Sequence, residues 1–194
     1  MALNKQAKIL TDKNFKLALK HLSGTRQPER NLTMFLLSVK AGLRAKEISF
    51  LKWEMLLDSE GSFQDHLSLP NSASKGKSSG RVIPLNNDLK EALQALYSLS
   101  KASSDDHVIM SERKAPVSAQ VVVNWFQKLY KDLNFIGCSS HSGRRTFITQ
   151  SARKISSVGG SLKDIQELAG HSSLSTTQRY IEANEQAKKA VVNL

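Results

Sequence analysis

Apolar positions recur at helical spacing over most of this chain, and the departures gather in one stretch. Thr11 stands as the N-cap of a helix from about Asp12 to Leu22, with Phe15, Leu19 and Leu22 on one stripe and Ser23-Gly24-Thr25 as its stop. Pro28 fits the first turn of a second helix to about Lys40, and its run Met34-Phe35-Leu36-Leu37 reads as buried almost all round. Ala41-Gly42 breaks that helix, and Arg44 precedes a short one from Ala45 to Lys52. Asn86 or Asn87 caps a helix to about Leu99, with Leu89, Leu93 and Leu96 in register. Ser118 caps an amphipathic helix to about Leu133 that uses Val121, Val122, Trp125, Phe126 and Leu129. Ser139 or Ser140 is expected to cap the next helix, Ser161 to Asp164 resembles a capping box, and Ser175 is the expected cap of a helix carrying Tyr180. A last short helix is expected at about Glu185 to Val192.

Between Trp53 and Leu85 the period changes. Trp53 to Leu57, Phe63 to Leu69 and Arg81 to Leu85 have strand character, separated by Asp58-Ser59-Glu60-Gly61 and by the polar, basic turn Asn71 to Gly80. His107 to Met110 reads as a brief extended piece after the loop Lys101 to Asp106. The fold class expected is mainly α with a small antiparallel β-sheet (α+β), the sheet inserted after the third helix. A chain of 194 residues fits a single domain over 1–194 with a real core.

Charge narrows the partners. A net charge of +11 points to a polyanion, most simply nucleic acid. The Lys and Arg residues are scattered rather than gathered on one amphipathic helix, which argues against an anionic membrane surface. Cys138 is the single cysteine, so an intrachain disulfide and a Cys-based zinc site are excluded. No apolar run approaches the roughly 18 residues of a membrane span, and the N-terminus has no signal-peptide core. The cytoplasm is the expected location.

Two stretches bring reactive side chains together. In His141-Ser142-Gly143-Arg144-Arg145-Thr146-Phe147, His141 and Arg144 are one helical turn apart and share a face; Arg145 is a rival on spacing. In Leu168-Ala169-Gly170-His171-Ser172-Ser173-Leu174-Ser175-Thr176-Thr177-Gln178-Arg179-Tyr180, a short helix stops at Gly170, His171 is expected to stand exposed just past the stop, and Tyr180 follows on a new helix. An arginine suits a phosphate because its planar fork gives two parallel charge-assisted hydrogen bonds. A phenol needs a base and a cationic pocket to act as a nucleophile at neutral pH, and histidine has the pKa for the base or proton relay.

These stretches resemble the second half of the motif of the tyrosine recombinase (phage integrase) family: H-x-x-R, then L-G-H-S-S-x-x-T-T-x-x-Y. Upstream, Ala41-Gly42-Leu43-Arg44-Ala45-Lys46-Glu47-Ile48 is similar to the family's first box, T-G-L-R-x-x-E, and Lys75 to Leu85 is similar to its hairpin segment K-G-x-K-x-R-x-V-P-L. The resemblance runs from about Leu10 to Tyr180. It implies a site-specific recombinase or integrase that cleaves and rejoins double-stranded DNA through a covalent 3′-phosphotyrosyl intermediate, without metal, cofactor or ATP. It implies Tyr180 as nucleophile, Arg44 and Arg144 as phosphate clamps, and His141 as general base or relay. His171 would donate to a phosphate oxygen, and Lys75 would be the general acid, with Lys77 as its rival. Glu47 would be a supporting residue for Arg44.

The resemblance further implies a tetramer on synapsed duplexes, with accessory DNA-binding proteins as possible partners. Residues 181–194 would pack on a neighbouring protomer or fold back on their own domain. The family's N-terminal DNA-binding domain is expected to be absent, which leaves either a natural short recombinase or an excised catalytic domain. Two other functions compete: a DNA-binding module that keeps the fold without catalysis, and a type IB topoisomerase.

Overall fold

Helix α2 (Pro28–Lys40) is the axis on which the rest is packed. In the computed structural model, which describes residues 6–71 and 80–180, eight of its side chains are buried, from Asn31 to Val39. Such a helix needs neighbours on every side. It has them in α1 (Asp12–Ser23), α3 (Ala45–Phe50), α4 (Asn87–Ser100) and α6 (Ser142–Lys154). Helix α5 (Ala119–Asp132) covers α3 from outside. Two short helices, α7 (Leu162–Ala169) and α8 (Leu174–Gln178), close the described chain.

Local chemistry sets several boundaries where the sequence places them. The Thr11 hydroxyl accepts from the Asn14 N–H at 3.2 Å, and Ser118 Oγ accepts from the Val121 N–H at 3.3 Å. The Asp164 carboxylate accepts from the Ser161 N–H at 2.7 Å, as the capping-box pattern requires. Pro28 opens α2. The close crossing of α2 and α6 depends on Gly143, because a Cβ there would run into Ser38.

Other expectations are corrected. Trp53–Met55 is a 3-10 turn rather than a strand. Its N–H groups bond sideways to a loop, Trp53 to Asp106 O at 3.1 Å and Glu54 to Ser104 O at 2.6 Å. The ladder itself is a two-stranded antiparallel hairpin, β1 (His66–Leu69) with β2 (Arg81–Pro84), in the register Leu67 to Ile83. Phe63 lies outside β1 and pairs with Leu57 through an isolated bridge, and His107 and Met110 make such bridges to Lys52 and Pro116. Val121 is 51% exposed rather than part of the buried face of α5. The N-cap of α6 is His141, while Ser139 Oγ accepts from the His141 N–H at 3.3 Å. Helix α8 is capped from Ser173, not Ser175, and stops at Gln178, so Tyr180 lies in the turn beyond it.

The main core runs from Leu10 to Tyr130 and includes the Trp53–Tyr97 ring pair, 4.8 Å between centroids. A smaller cluster of Ile148, Ile165 and Ala169 joins α6 to α7, with Phe147, Leu168 and Tyr180 packed on it. Among the described residues no helix is long and apolar enough to cross a membrane. The helix expected at Glu185 to Val192 lies outside the described residues.

Candidate active site

The site forms where the N-terminus of α3, the first turns of α6, the turn between α7 and α8, and β2 come together. Helix α2 ends at Lys40, and Gly42 takes a positive φ of +65° that turns the chain back toward α6. This places the Gly42 carbonyl against α6, where Arg144 Nη1 donates to it at 2.6 Å. A Cβ on Gly42 would meet the Phe147 ring, so the close approach also requires glycine.

Arg144 is 2% exposed and fully engaged at its far end. Its Nη2 donates to the Ala169 carbonyl at 2.6 Å and lies 2.9 Å from His171 Nε2. A guanidinium has no lone pair to offer, so His171 Nε2 is the acceptor. His171 Nδ1 then carries the proton and donates to Thr177 Oγ1 at 3.0 Å. Burial, followed by the charge of Arg144 and then of Arg44 and Arg81, lowers the His171 pKa to about 4. Burial and the neighbouring Arg44 lower Arg144 to about 10, and it stays charged at neutral pH.

His171 follows the left-handed cap Gly170, as the sequence predicts, but it is 8% exposed instead of open to solvent. The side chain of Gln166 ties it down by donating to its carbonyl at 3.0 Å. Tyr180 stacks on it, with ring centroids 5.3 Å apart and planes inclined by 25°. The Tyr180 carbonyl accepts from Thr149 Oγ1 of α6 at 2.9 Å, which anchors the turn beyond α8.

Arg44 is the N-cap of α3 and keeps 28% of its side chain exposed. Glu47, one turn on, accepts from its backbone N–H through Oε2 and from its Nη1 through Oε1, both at 2.8 Å. Glu47 is 1% exposed. Burial alone would raise its pKa, but the hydrogen bonds and charge of Arg81, with those of Arg44, outweigh burial and lower it to about 2. Three guanidinium groups, Arg44, Arg81 and Arg144, therefore act around one carboxylate, and the cluster has an excess of positive charge.

His141 is exposed at the head of α6. Partial desolvation, then the charges of Arg144 and Arg44, lower its pKa, so its imidazole is neutral at pH 7. It lines a cavity of about 360 Å³ together with Arg145, Thr176, Arg179 and Tyr180. Arg145, the rival on spacing, thus lies on this cavity side, where it bonds the Gln6 side chain, while Arg144 is enclosed with His171.

Five of the six residues expected at the site, Arg44, His141, Arg144, His171 and Tyr180, are brought to this region. Lys75 and its rival Lys77 lie outside the described residues. Sequence reasoning missed three contributors: the Gly42 carbonyl, Thr177, and Arg81. Each lay within a quoted motif, Gly42 in the G-L-R box, Thr177 in the T-T-x-x-Y box and Arg81 in the hairpin segment, but none had a role assigned to it.

A mainly helical domain with a short hairpin, holding arginines and a histidine against one tyrosine, is the class defined here. The sequence model of the phage integrase family matches residues 8–187. The chain belongs to the phage integrase family, the tyrosine recombinases. It is 32% identical over 167 residues to the tyrosine recombinase XerA of Thermococcus onnurineus, covering 84% of this chain and 54% of that protein. It is 28% identical over 158 residues to XerD of Halalkalibacterium halodurans, covering 78% of this chain and 48% of that protein. The chain thus spans about half the length of these curated relatives. The fold also matches the crystal structure of the site-specific recombinase XerH bound to palindromic difH substrate. There the TM-score is 0.75 and the identity 16%, over 96% of this chain and 52% of that one.

Proposed function

We propose that this chain is the catalytic domain of a tyrosine site-specific recombinase acting on double-stranded DNA. The observation that carries the reading is the stack of Tyr180 on His171, which is itself bonded to Arg144 in a pocket of excess positive charge. Family membership supports it.

The scissile phosphate sits against Arg44 and Arg144. As the phosphorus becomes five-coordinate, charge grows on its non-bridging oxygens, and donors already fixed in place stabilise that charge without reorganising. Tyr180 Oη loses its proton to the neutral imidazole of His141, which opens on the same cavity. The phenolate attacks phosphorus, the bond to the 5′ oxygen breaks, and Lys75 gives that oxygen a proton. The products are a 3′-phosphotyrosyl bond and a free 5′ hydroxyl. A 5′ hydroxyl from a partner duplex reverses the sequence and joins the strands. The bond energy is kept throughout, so neither ATP nor a metal enters the scheme. Strand exchange between two duplexes needs two active sites on each, hence a tetramer on DNA.

With His171 Nε2 accepting from Arg144, that nitrogen has no proton for a phosphate oxygen. Donation by His171 therefore requires the phosphate to displace this bond, with a proton taken up or the tautomer changed.

The test offers the full chain a pool of nicked duplexes with a randomised centre and collects protein–DNA species that survive denaturant. Wild type is expected to yield an adduct enriched for one duplex, and Tyr180→Phe none. DNA binding without any adduct from wild type would favour a binding module that keeps the fold, and site-independent relaxation of supercoils would favour a topoisomerase.

A further inference from the structure

Arg81 has no role in the chemistry above, yet it is among the most thoroughly engaged side chains near it. It projects from β2, is 5% exposed, and grips Glu47 with both ends of its fork: Nη1 to Oε1 and Nη2 to Oε2, each at 3.0 Å. Its Nε donates to the Leu168 carbonyl at 2.8 Å, in the last turn of α7. The turn before His171 closes directly over it, since a Cβ on Gly170 would lie 2.8 Å from Arg81 Nη1. The strand residue therefore reaches both the carboxylate that holds Arg44 and the turn that presents His171.

Both oxygens of Glu47 are shared. Oε1 accepts from Nη1 of Arg44 and of Arg81, and Oε2 accepts from the Arg44 N–H and from Arg81 Nη2. A bidentate fork fixes the plane of a carboxylate, which a single hydrogen bond does not. With the plane fixed, the direction from which Arg44 is held is fixed too. Arg44 keeps part of its side chain exposed and makes only one side-chain bond to Glu47, so it depends on that direction.

We propose that Arg81 is a positioning residue: through the plane of Glu47 it sets the orientation of the Arg44 guanidinium, and it ties the hairpin to the phosphate cluster. The inference rests on the recombinase reading in taking Arg44 as a phosphate ligand. Arg81 touches no reacting atom. Its loss leaves Glu47 desolvated and faced by Arg44 from the head of α3, by Arg144 from α6 and by His171 from the α7–α8 turn. The carboxyl then titrates at higher pH, and protonation releases Arg44.

The test measures single-turnover adduct formation by the full chain on the duplex selected above, at saturating DNA and across about pH 5–9, for wild type, Arg81→Gln and Arg81→Lys. Arg81→Gln is expected to react at least about tenfold more slowly at neutral pH, with DNA affinity within about threefold of wild type. Its rate is also expected to fall toward acid pH with a higher midpoint than the limb that His141, as general base, gives wild type. Arg81→Lys restores the charge without the fork and recovers only part of the rate. A structural role alone would lower the melting temperature and leave the pH profile unchanged. Rates within about threefold of wild type in both variants, or slowing of Arg81→Gln with the wild-type pH profile, would overturn the inference. If Arg81→Gln does not fold, the partial rate loss of Arg81→Lys and the Arg44 NMR readout in that variant decide the inference. Nitrogen-15 NMR of the Arg44 side chain decides the orientation without catalysis: hindered rotation in wild type, freed in the variant, is expected, and no change overturns the inference. Absence of adduct from wild type would sink the recombinase reading alone, and the NMR result would still stand.

Discussion

Arg144 Nη2 lies 2.9 Å from His171 Nε2, a contact between a cation and a ring nitrogen that has to be its acceptor. The pair fixes His171 as a neutral imidazole and sets a pH dependence of stability. An unfolded imidazole titrates near pH 6.5, whereas His171 titrates at about 4 in the fold. Between these values the unfolded chain binds a proton that the folded chain does not, so stability rises with pH across the window and is fully present above 6.5. His141, also lowered, adds to the same limb. Unfolding free energies from urea titrations between pH 4 and 7 are expected to rise by an amount on the order of 3 kcal/mol for His171, and His171→Asn should flatten much of that rise.

Glu47 gives a separate acid limb. Its pKa falls from 4.5 to about 2 on folding, so its contribution is present above 4.5 and is lost as the pH drops toward 2. Glu47→Ala would leave Arg81 buried without its carboxylate partner. A loss of about 3–5 kcal/mol in chemical denaturation at neutral pH is expected. A loss below about 1 kcal/mol would show that the network is not structural.

Gly42→Ala should be among the most damaging small substitutions. The position combines a φ of +65° with the Phe147 ring where a Cβ would go. A destabilisation of about 2 kcal/mol or more is expected, together with a lower cleavage rate, because the Gly42 carbonyl is a partner of Arg144. Thermal melts and adduct formation measured on the same preparation check both.

The excess of basic residues predicts salt-sensitive DNA binding. With a net charge of +11 and phosphate contacts dominating, affinity is expected to fall at least about tenfold between 50 and 200 mM salt. Fluorescence titration with a labelled duplex measures the slope, and an affinity unchanged by salt would contradict the charge-based reading.

Features governed by neighbours in the chain were legible in the sequence. Thr11, Pro28, Ser118 and Gly170 act through their own backbone or the next turn, and each stands where the pattern places it. The Trp53 to Leu57 stretch misled because its β-rich composition is spent on packing. Trp53 is fully buried, and its backbone bonds go to a loop about fifty residues away. Spacing left Arg144 and Arg145 open, since both follow His141 by about one turn. The packing of α6 against Gly42 and the α7–α8 turn puts Arg144 inside and Arg145 on the cavity side. The burial of His171 was illegible for the same reason, because α6 covers it. Arg81 was visible as a residue of the hairpin segment, but its partner lies 34 positions earlier, and local pattern has no access to such a pair.

The central claim is that Tyr180 attacks phosphorus, and peptide mapping of the trapped adduct tests it most directly. Adduct formed on the selected nicked duplex is digested with nuclease and protease, and the modified peptide is sequenced by mass spectrometry. The account predicts one modified residue, Tyr180, carrying a nucleotide through its 3′ phosphate, with a free 5′ hydroxyl on the released strand. Attachment to another residue, or through a 5′ phosphate, would contradict it.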